Sequence, residues 1–359
     1  MTYRDLFCEI MSYGTYNRMP VIHWATWPET DRRWHQEGLT EGADLHEFLD
    51  ATPHWRGVGA RFGGTDAYLL PPFEEEIYEE TETYVIKRMS DGVICKAWKN
   101  SCSIPQFLDY TLKTGKDWET YKLRLQPDPA RLPENLGQVI ADAENSGMPL
   151  TFGTGSIMGW IRNWMGVENM SFLMYDEPDV YADMTMTIAD LVCWGMDLIL
   201  PHIQVDLGFG WEDICGRSGP LVSPQLFDKY VAPAYAKIRD KLESYGVHLY
   251  GVDCDGDVRA LVGPWLEAGV NLQMPVEVGT WEGDAMELRK RHGRELRIVG
   301  NFNKLTLERG REAIEAEIQR CIPMMREGGY IIATDHAVTP GVPLADYQWY
   351  LDRIRELSI

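Results

Sequence analysis

The chain has 359 residues, of which 45% are hydrophobic and 25% are charged, a composition typical of globular proteins with a large core and not of disordered chains. It carries 34 Lys and Arg against 55 Asp and Glu, which gives a formal net charge of −21. This charge would repel nucleic acid and anionic membrane surfaces, so neither is expected as a partner.

No apolar run reaches the roughly 18 residues of a membrane span, and the first residues lack the apolar core of a signal peptide. We therefore expect a cytoplasmic protein. The seven cysteines are scattered without Cys-x-x-Cys spacing, which predicts reduced thiols and excludes a disulfide framework or a zinc ribbon.

Short β-like runs alternate with longer helix-compatible stretches along most of the chain, as in repeated βα units. The candidate strands are Val21–Trp24, Gly57–Phe62, Leu150–Gly153, Ile203–Leu207, His248–Val252, Asn271–Pro275, Arg297–Gly300 and Tyr330–Thr334. Eight strands fit a closed barrel, and the chain is long enough for one with insertions. We predict an α/β fold, a (β/α)₈ TIM barrel, as a single domain over residues 1–359.

An insertion is predicted between the second and third candidate strands. Glu76–Met89 and Val93–Lys99 alternate between apolar and polar residues on either side of Ser90-Asp91-Gly92. An Asp-Gly pair between alternating runs is a strong hairpin signal. We predict a β-hairpin excursion over about residues 73–105, which serves either as a lid or as the arm of a homodimer.

Polar residues follow several candidate strands, at the end of a barrel that carries the active site. Asp253 and Asp255 follow the fifth strand, Glu277 the sixth and His336 the eighth. Alternation places Asp253 and Asp255 on one face and Cys254 on the other. Carboxylates this close together should either raise one another's pKa or bind a shared cation. The structural alternative is a turn that caps the next helix.

Other residues near the strand ends are candidates for substrate binding. Trp24 ends the first strand, Glu212 lies in the polar segment after the fourth, and Cys254 lies between the two aspartates. Trp160 is predicted to line an apolar pocket, although aromatic residues at helical spacing more often belong to the core. His248 opens a strand at the opposite end and is predicted to be structural.

Several motifs, spread over nearly the whole length, are specific in combination. They are Pro28-Glu29-Thr30 with Glu37-Gly38-Leu39, Trp118-Glu119, Glu212-Asp213 through Gly219-Pro220-Leu221-Val222-Ser223-Pro224, Asp255-Gly256, and Gly328-Gly329-Tyr330 through Pro343. In these motifs the chain resembles the uroporphyrinogen decarboxylase superfamily, which also contains methyltransferases that move methyl groups to or from corrinoid cofactors.

True uroporphyrinogen decarboxylases carry an early Arg-rich motif of the Met-Arg-Gln-Ala-Gly-Arg type, which binds the polycarboxylate porphyrinogen. Here that region reads Val21-Ile22-His23-Trp24-Ala25-Thr26-Trp27-Pro28, without the arginine pair. A chain with a net charge of −21 is also poorly suited to a polyanionic substrate. The resemblance therefore implies a methyltransferase-like member more than the named decarboxylase.

The thiol-activating methyltransferases of the superfamily hold zinc with a His-x-Cys pair after the fifth strand, an acidic residue after the sixth and a cysteine after the eighth. The resemblance places these positions on Asp253, Asp255, Glu277 and His336, so both thiolates are replaced. It implies Asp255, Glu277 and His336 as ligands of a divalent metal such as zinc, although oxygen ligands favour harder ions. His336 also falls where the decarboxylases keep an active-site histidine. His336, Asp253 and Asp255 are the predicted catalytic residues.

The leading hypothesis is a corrinoid-dependent methyltransferase, the demethylating component that moves methyl from an O-methyl or N-methyl small molecule to cobalamin. The chain has no Asp-x-His-x-x-Gly cobalamin motif, so the corrinoid is expected on a separate corrinoid-binding protein. Methyl transfer requires the departing oxygen or nitrogen to be protonated or polarised by a metal.

The alternative is a cofactor-free decarboxylase or lyase acting on a small carboxylic acid. A non-catalytic binding protein is a third reading, disfavoured by the polar cluster.

Overall fold

Helices and short strands alternate along most of the chain. The computed structural model describes residues 1–58, 69–100 and 104–359. Its helices are α1 (Tyr3–Met11), α2 (Pro28–Glu37), α3 (Leu45–Leu49), α4 (Gly115–Tyr121), α5 (Leu136–Glu144), α6 (Met158–Asp176), α7 (Pro178–Ile199), α8 (Pro224–Tyr230), α9 (Ala232–Ser244), α10 (Val262–Glu267), α11 (Ala285–His292), α12 (Arg311–Glu327) and α13 (Leu344–Glu356). Its strands are β1 (Arg56–Gly57), β2 (Glu76–Glu80), β3 (Tyr84–Arg88), β4 (Ile94–Trp98), β5 (Gln106–Asp109), β6 (Leu150–Gly155), β7 (Leu207–Trp211), β8 (Cys215–Gly216), β9 (Gly219–Pro220), β10 (Leu249–Asp253), β11 (Leu272–Met274), β12 (Arg297–Phe302) and β13 (Tyr330–Thr334). None of these helices has both the length and the apolar character that crossing a bilayer requires.

A curled parallel sheet forms the framework, and the α/β prediction is confirmed at this level. Its strand order is β1-β6-β7-β10-β11-β12-β13. All five residues of β13 are buried, as expected for a strand covered on both faces. Because every neighbouring pair is parallel, the carboxyl ends of the strands lie along one edge of the sheet, and the loops that follow them can share a site.

The segment 21–27 forms bridges beside both edge strands of this sheet. Ile22 forms an isolated parallel bridge with Thr52, just ahead of β1, and Thr26 forms another with Val338, shortly after β13. The segment thus approaches the position of an eighth strand through single bridges. Among the described residues the sheet itself has seven strands and is not a continuous closed ladder.

Two early strand predictions are affected by this arrangement. The predicted strand Val21–Trp24 contributes the bridge at Ile22 but no continuous strand. Of the predicted strand Gly57–Phe62, only its first residue belongs to β1, and residues 59–62 lie outside the described residues.

The prediction of a strand at Ile203–Leu207 is wrong by four residues, because β7 begins at Leu207 and ends at Trp211. The strand lies over the glycine-rich stretch that follows the predicted strand. A Cβ at Gly210 would lie 2.5 Å from the carbonyl oxygen of Gly155 in β6, so glycine is what permits the two backbones to approach here.

The predicted hairpin is part of a larger antiparallel sheet in the order β2-β3-β4-β5. β3 and β4 pair around the Asp91-Gly92 turn as predicted. The run Glu76–Met89, however, is two strands, because the Thr81 hydroxyl accepts hydrogen bonds from the N–H groups of Thr83 and Tyr84 and so forms a turn. A fourth strand, β5, extends the sheet beyond residue 105.

Candidate active site

The loops after β7, β10 and β13 bring carboxylates and a histidine together. Trp211 at the end of β7 is in register with Asp253 at the end of β10. One carboxylate oxygen from each of Asp213, Asp253 and Asp255 lies within 4.8 Å of the others, and we call these three residues the aspartate cluster. Nε2 of His336, in the loop after β13, lies 3.4 Å from Oδ2 of Asp255.

The carboxylates of the aspartate cluster perturb one another. The pKa of Asp253 lies well above its usual value because the group is withdrawn from solvent and because Asp213, Asp255 and Glu277 surround it with negative charge. Burial, followed by the charge of Asp255, also raises the pKa of Asp213. Asp253 therefore keeps its proton to a higher pH than an exposed aspartate, as a general acid requires.

Two tryptophan rings pack on His336. The ring of Trp27 stacks on the imidazole with 6.3 Å between centroids and an interplanar angle of 23°, and the ring of Trp24 lies 5.5 Å away. Hydrogen bonds from the Val338 N–H to the Ala25 carbonyl and from the Trp27 N–H to the Val338 carbonyl hold the two segments together. The imidazole is thus oriented between a carboxylate and two indole rings.

Trp24, predicted to bind substrate, lies at this site and also contacts a second histidine. Its ring centroid is 5.8 Å from that of His54. Burial lowers the pKa of His54 to about 3, so this imidazole is neutral at neutral pH and does not offset the charge of the aspartate cluster.

Glu277, a predicted metal ligand, instead ties two loops together. Its Oε2 accepts a hydrogen bond from the Gly256 N–H at 2.8 Å, and its Oε1 accepts one from the Thr280 hydroxyl at 2.9 Å. Asp335 acts similarly, because its buried carboxylate accepts hydrogen bonds from the N–H groups of Val278 and Lys304. Glu277 thus fixes the loop that carries Asp255, and Asp335 ties the loop that carries His336 to the loops after β11 and β12.

The predicted metal set of Asp255, Glu277 and His336 is not the set that the structure brings together. Within the described part of the chain, the aspartate cluster is the group of acidic or imidazole side chains close enough to share one ion. Its oxygen donors suit a hard divalent cation more than zinc in a thiolate site.

Glu212, predicted to bind substrate, is instead a buried carboxyl group surrounded by hydrogen-bond donors. It is 1% exposed, and its carboxylate accepts hydrogen bonds from Ser156 Oγ, from Tyr235 Oη and from the backbone N–H groups of residues 157–159 at 2.8–2.9 Å. These N–H groups lie at the start of α6 and have no acceptor within the helix, and a helix N-terminus favours an anion. The carboxyl group of Glu212 therefore serves to hold parts of the fold together.

The other two predicted substrate contacts are also buried. The Trp160 ring is 1% exposed and stacks on Trp164 with 5.9 Å between centroids. Cys254 is likewise 1% exposed, and its thiol neighbours that of Cys215. Both side chains therefore contribute to packing in this state of the protein.

Two residues at the site, Asp213 and Trp27, were not predicted. Alternation along β7 could have identified Asp213, because residues 209, 211 and 213 are in phase with 251, 253 and 255 in the register with β10, which puts Glu212 on the opposite face. No pattern in the sequence around Trp27 indicates a role at the site, because its position depends on pairing with Val338, far away in sequence.

Comparisons with known proteins agree with this architecture. A methyltransferase from Methanosarcina mazei has a similar fold, with a TM-score of 0.61 and 15% sequence identity over 99% of this chain and 98% of that chain. The uroporphyrinogen decarboxylase of Geobacter sulfurreducens is 25% identical over 220 residues, which are 59% of each chain. That of Streptomyces coelicolor is 26% identical over 177 residues, 48% of this chain and 46% of the relative. The matched regions thus span about half of these relatives' lengths.

The family model for uroporphyrinogen decarboxylase (URO-D) matches residues 100–357. This range includes every strand of the parallel sheet except β1, together with the aspartate cluster and His336. The chain belongs to the uroporphyrinogen decarboxylase family.

Proposed function

We propose that this chain is the substrate-demethylating component of a corrinoid-dependent methyltransferase. The observation that carries the proposal is the contact of His336 with both Asp255 and two indole rings, beside an Asp253 whose pKa is raised well above its usual value. The methyltransferase with a similar fold supports it. The proposal includes a closed (β/α)₈ barrel in which the segment 21–27 takes the eighth position.

The chain's own residues would manage the charge on the atom that loses the methyl group. A departing oxygen needs a proton, which Asp253 or His336 is placed to donate. A departing nitrogen in a methylated ammonium already carries positive charge, which Asp213 and Asp255 attract. A corrinoid on a partner protein would supply the cobalt(I) that accepts the methyl group.

Charge favours a cationic N-methyl donor over a neutral O-methyl donor. Tryptophan faces bind alkylammonium groups through cation–π attraction of about 0.5–2 kcal/mol, and Trp24 and Trp27 lie beside the aspartate cluster. Carboxylates add long-range attraction for a cation. A neutral methyl ether gains neither contribution.

A substrate panel tests the proposal. The purified chain should methylate an added cob(I)alamin-carrying protein with a quaternary methylammonium compound, and less with its neutral isostere, as measured by the absorbance of the methylated corrinoid. Asp213→Asn should reduce this preference, whereas Glu282→Gln, at an exposed acid outside the cluster, should not. Absence of transfer from every methyl donor would reject the proposal.

The metal hypothesis is carried forward with Asp213, Asp253 and Asp255 as the ligands. A divalent ion there would polarise the departing atom; without it, the cluster would share a proton. We expect the proton-sharing state, because Nε2 of His336 faces a carboxylate and both oxygens of Glu277 already accept hydrogen bonds. Elemental analysis of protein purified without chelator should then find no stoichiometric metal in active enzyme. A bound ion lost in Asp255→Ala would establish the metal instead.

A decarboxylase is the second candidate, favoured by the family match and by the raised pKa of Asp253, which suits that carboxyl group to protonating a carbanion. The aspartate cluster would, however, repel the carboxylate of such a substrate. Release of CO₂ from a small carboxylic acid, without added corrinoid protein, would support this function over methyl transfer.

A further inference from the structure

Two cysteine thiols lie side by side behind the aspartate cluster. Cys254 stands between Asp253 and Asp255 in sequence and is 1% exposed, whereas Cys215 follows Asp213 by two residues and is partly exposed. Burial and the neighbouring thiol of Cys215 raise the pKa of Cys254 well above its usual value, and the Cys254 Sγ donates a 3.4 Å hydrogen bond to the carbonyl of Asp255. Neither thiol has a part in the proposed methyl transfer.

The backbones that carry the two cysteines are packed tightly together. The Asp257 N–H donates a 3.0 Å hydrogen bond to the Gly216 carbonyl. Gly256 has a φ of +86°, and a Cβ there would lie 2.3 Å from the carbonyl oxygen of Cys215. The two loops are therefore immediate neighbours at Cys215 and Gly216, two to three residues beyond Cys254.

The other described cysteines lack this arrangement. Cys8 is exposed and its thiol lies near Asp206, while Cys193 and Cys321 lie near backbone carbonyls. Cys95 is buried, and the groups that act on its thiol are charged side chains and no second cysteine. A thiol beside a second thiol can be trapped as a disulfide, whereas an isolated one proceeds to other oxidation products. Within the described residues, the pair is thus chemically distinct from the other four cysteines.

We propose that Cys215 and Cys254 are a peroxide-sensitive modification site that closes a reversible disulfide and switches the active site off. Hydrogen peroxide oxidises the more exposed Cys215 to a sulfenic acid and releases one water. The sulfur of Cys254 then attacks the Cys215 sulfur, the S–O bond breaks, and a second water leaves. Two thiols and one peroxide thereby give one disulfide and two waters. A dithiol reductant reverses the reaction.

The disulfide would alter the active site because both cysteines lie within two residues of members of the aspartate cluster. A disulfide holds its sulfurs at about 2.05 Å with a fixed dihedral angle, closer than two thiols that are not bonded to each other. Asp213 lies two residues from Cys215, and Asp253 and Asp255 flank Cys254, so the carboxylates would shift with the loops. A displacement of 1 Å in a catalytic group is enough to lower turnover about 10²-fold.

The bond itself can be tested without any assay of turnover. The full-length protein is treated with hydrogen peroxide, blocked with an alkylating reagent and digested without reduction. Mass spectrometry should find a peptide linking Cys215 to Cys254 that disappears on treatment with dithiothreitol. Cys8→Ser should keep the linkage and Cys215→Ser should lose it. Quantitative alkylation of both thiols after peroxide treatment would overturn the proposal.

The switch rests on the proposed function and is tested separately. Peroxide should lower methyl transfer about 10²-fold, dithiothreitol should restore it, and Cys215→Ser should retain activity in peroxide. A linked peptide without loss of activity would overturn the switch while leaving the modification site. Failure of the untreated protein to transfer methyl would instead reject the proposed function, and the linkage would still decide the modification.

Discussion

Replacement of His336 by alanine should lower turnover by about 10²–10⁴-fold, the usual contribution of a general acid or base. That loss corresponds to roughly 3–5 kcal/mol at the transition state. The imidazole lies 3.4 Å from Asp255 and against Trp24 and Trp27, so alanine would remove both the proton carrier and the contact between the carboxylates and the indoles.

The same substitution should change the free energy of unfolding by only about 1 kcal/mol. His336 belongs to a loop after β13, its side chain is 28% exposed, and its removal opens no closed cavity in the core. Turnover and thermal unfolding measured on the same preparation therefore separate a catalytic role from a structural one.

His248→Ala is the matched control. The sequence suggested that His248 is structural, but its side chain is exposed just before β10, at the opposite end of that strand from Asp253. Both turnover and melting temperature should stay close to wild type. Near-normal methyl transfer and near-normal decarboxylation in His336→Ala would show that the catalytic centre lies elsewhere.

The strand predicted most closely from sequence is one whose burial on two faces leaves an almost continuous apolar run. Tyr330–Thr334 is observed with the predicted bounds, whereas the strand predicted at Leu150–Gly153, which contains Thr151, is longer by two residues. β7 escaped prediction because two of its five residues are glycine, which local propensity assigns to loops. The reason for Gly210 is the approach of β6, a contact that sequence does not contain.

The relative placement of two side chains could be predicted where alternation along one strand decides it, and not where the partners come from another element. Asp253 and Asp255 share a face because of the two-residue period of β10. The burial of Glu212 depends on donors near residues 156–159, more than fifty positions earlier. A polar residue at the end of a strand therefore predicts where a site lies. The residues that contact it from other elements decide whether its side chain faces a substrate or is buried within the protein.

The largest expected effect on stability follows from that burial: Glu212→Ala should lower the free energy of unfolding by roughly 3–5 kcal/mol, because each buried donor left unpaired costs about 1–3 kcal/mol. The carboxylate accepts from Ser156, Tyr235 and the first N–H groups of α6. Alanine also removes the negative charge that this helix terminus favours.

Graded variants make this prediction measurable even if the alanine protein fails to fold. Tyr235→Phe removes one donor and should cost about 1 kcal/mol. Glu212→Gln keeps the shape but turns an amide NH₂ toward donors that need an acceptor, so its stability should fall between those of Tyr235→Phe and Glu212→Ala. Glu243→Ala, at an exposed acid of α9, should stay within about 0.5 kcal/mol of wild type. Urea unfolding of the four variants should give this order, and a Glu212→Gln protein as stable as wild type would show that the carboxylate is not what holds α6 to β7.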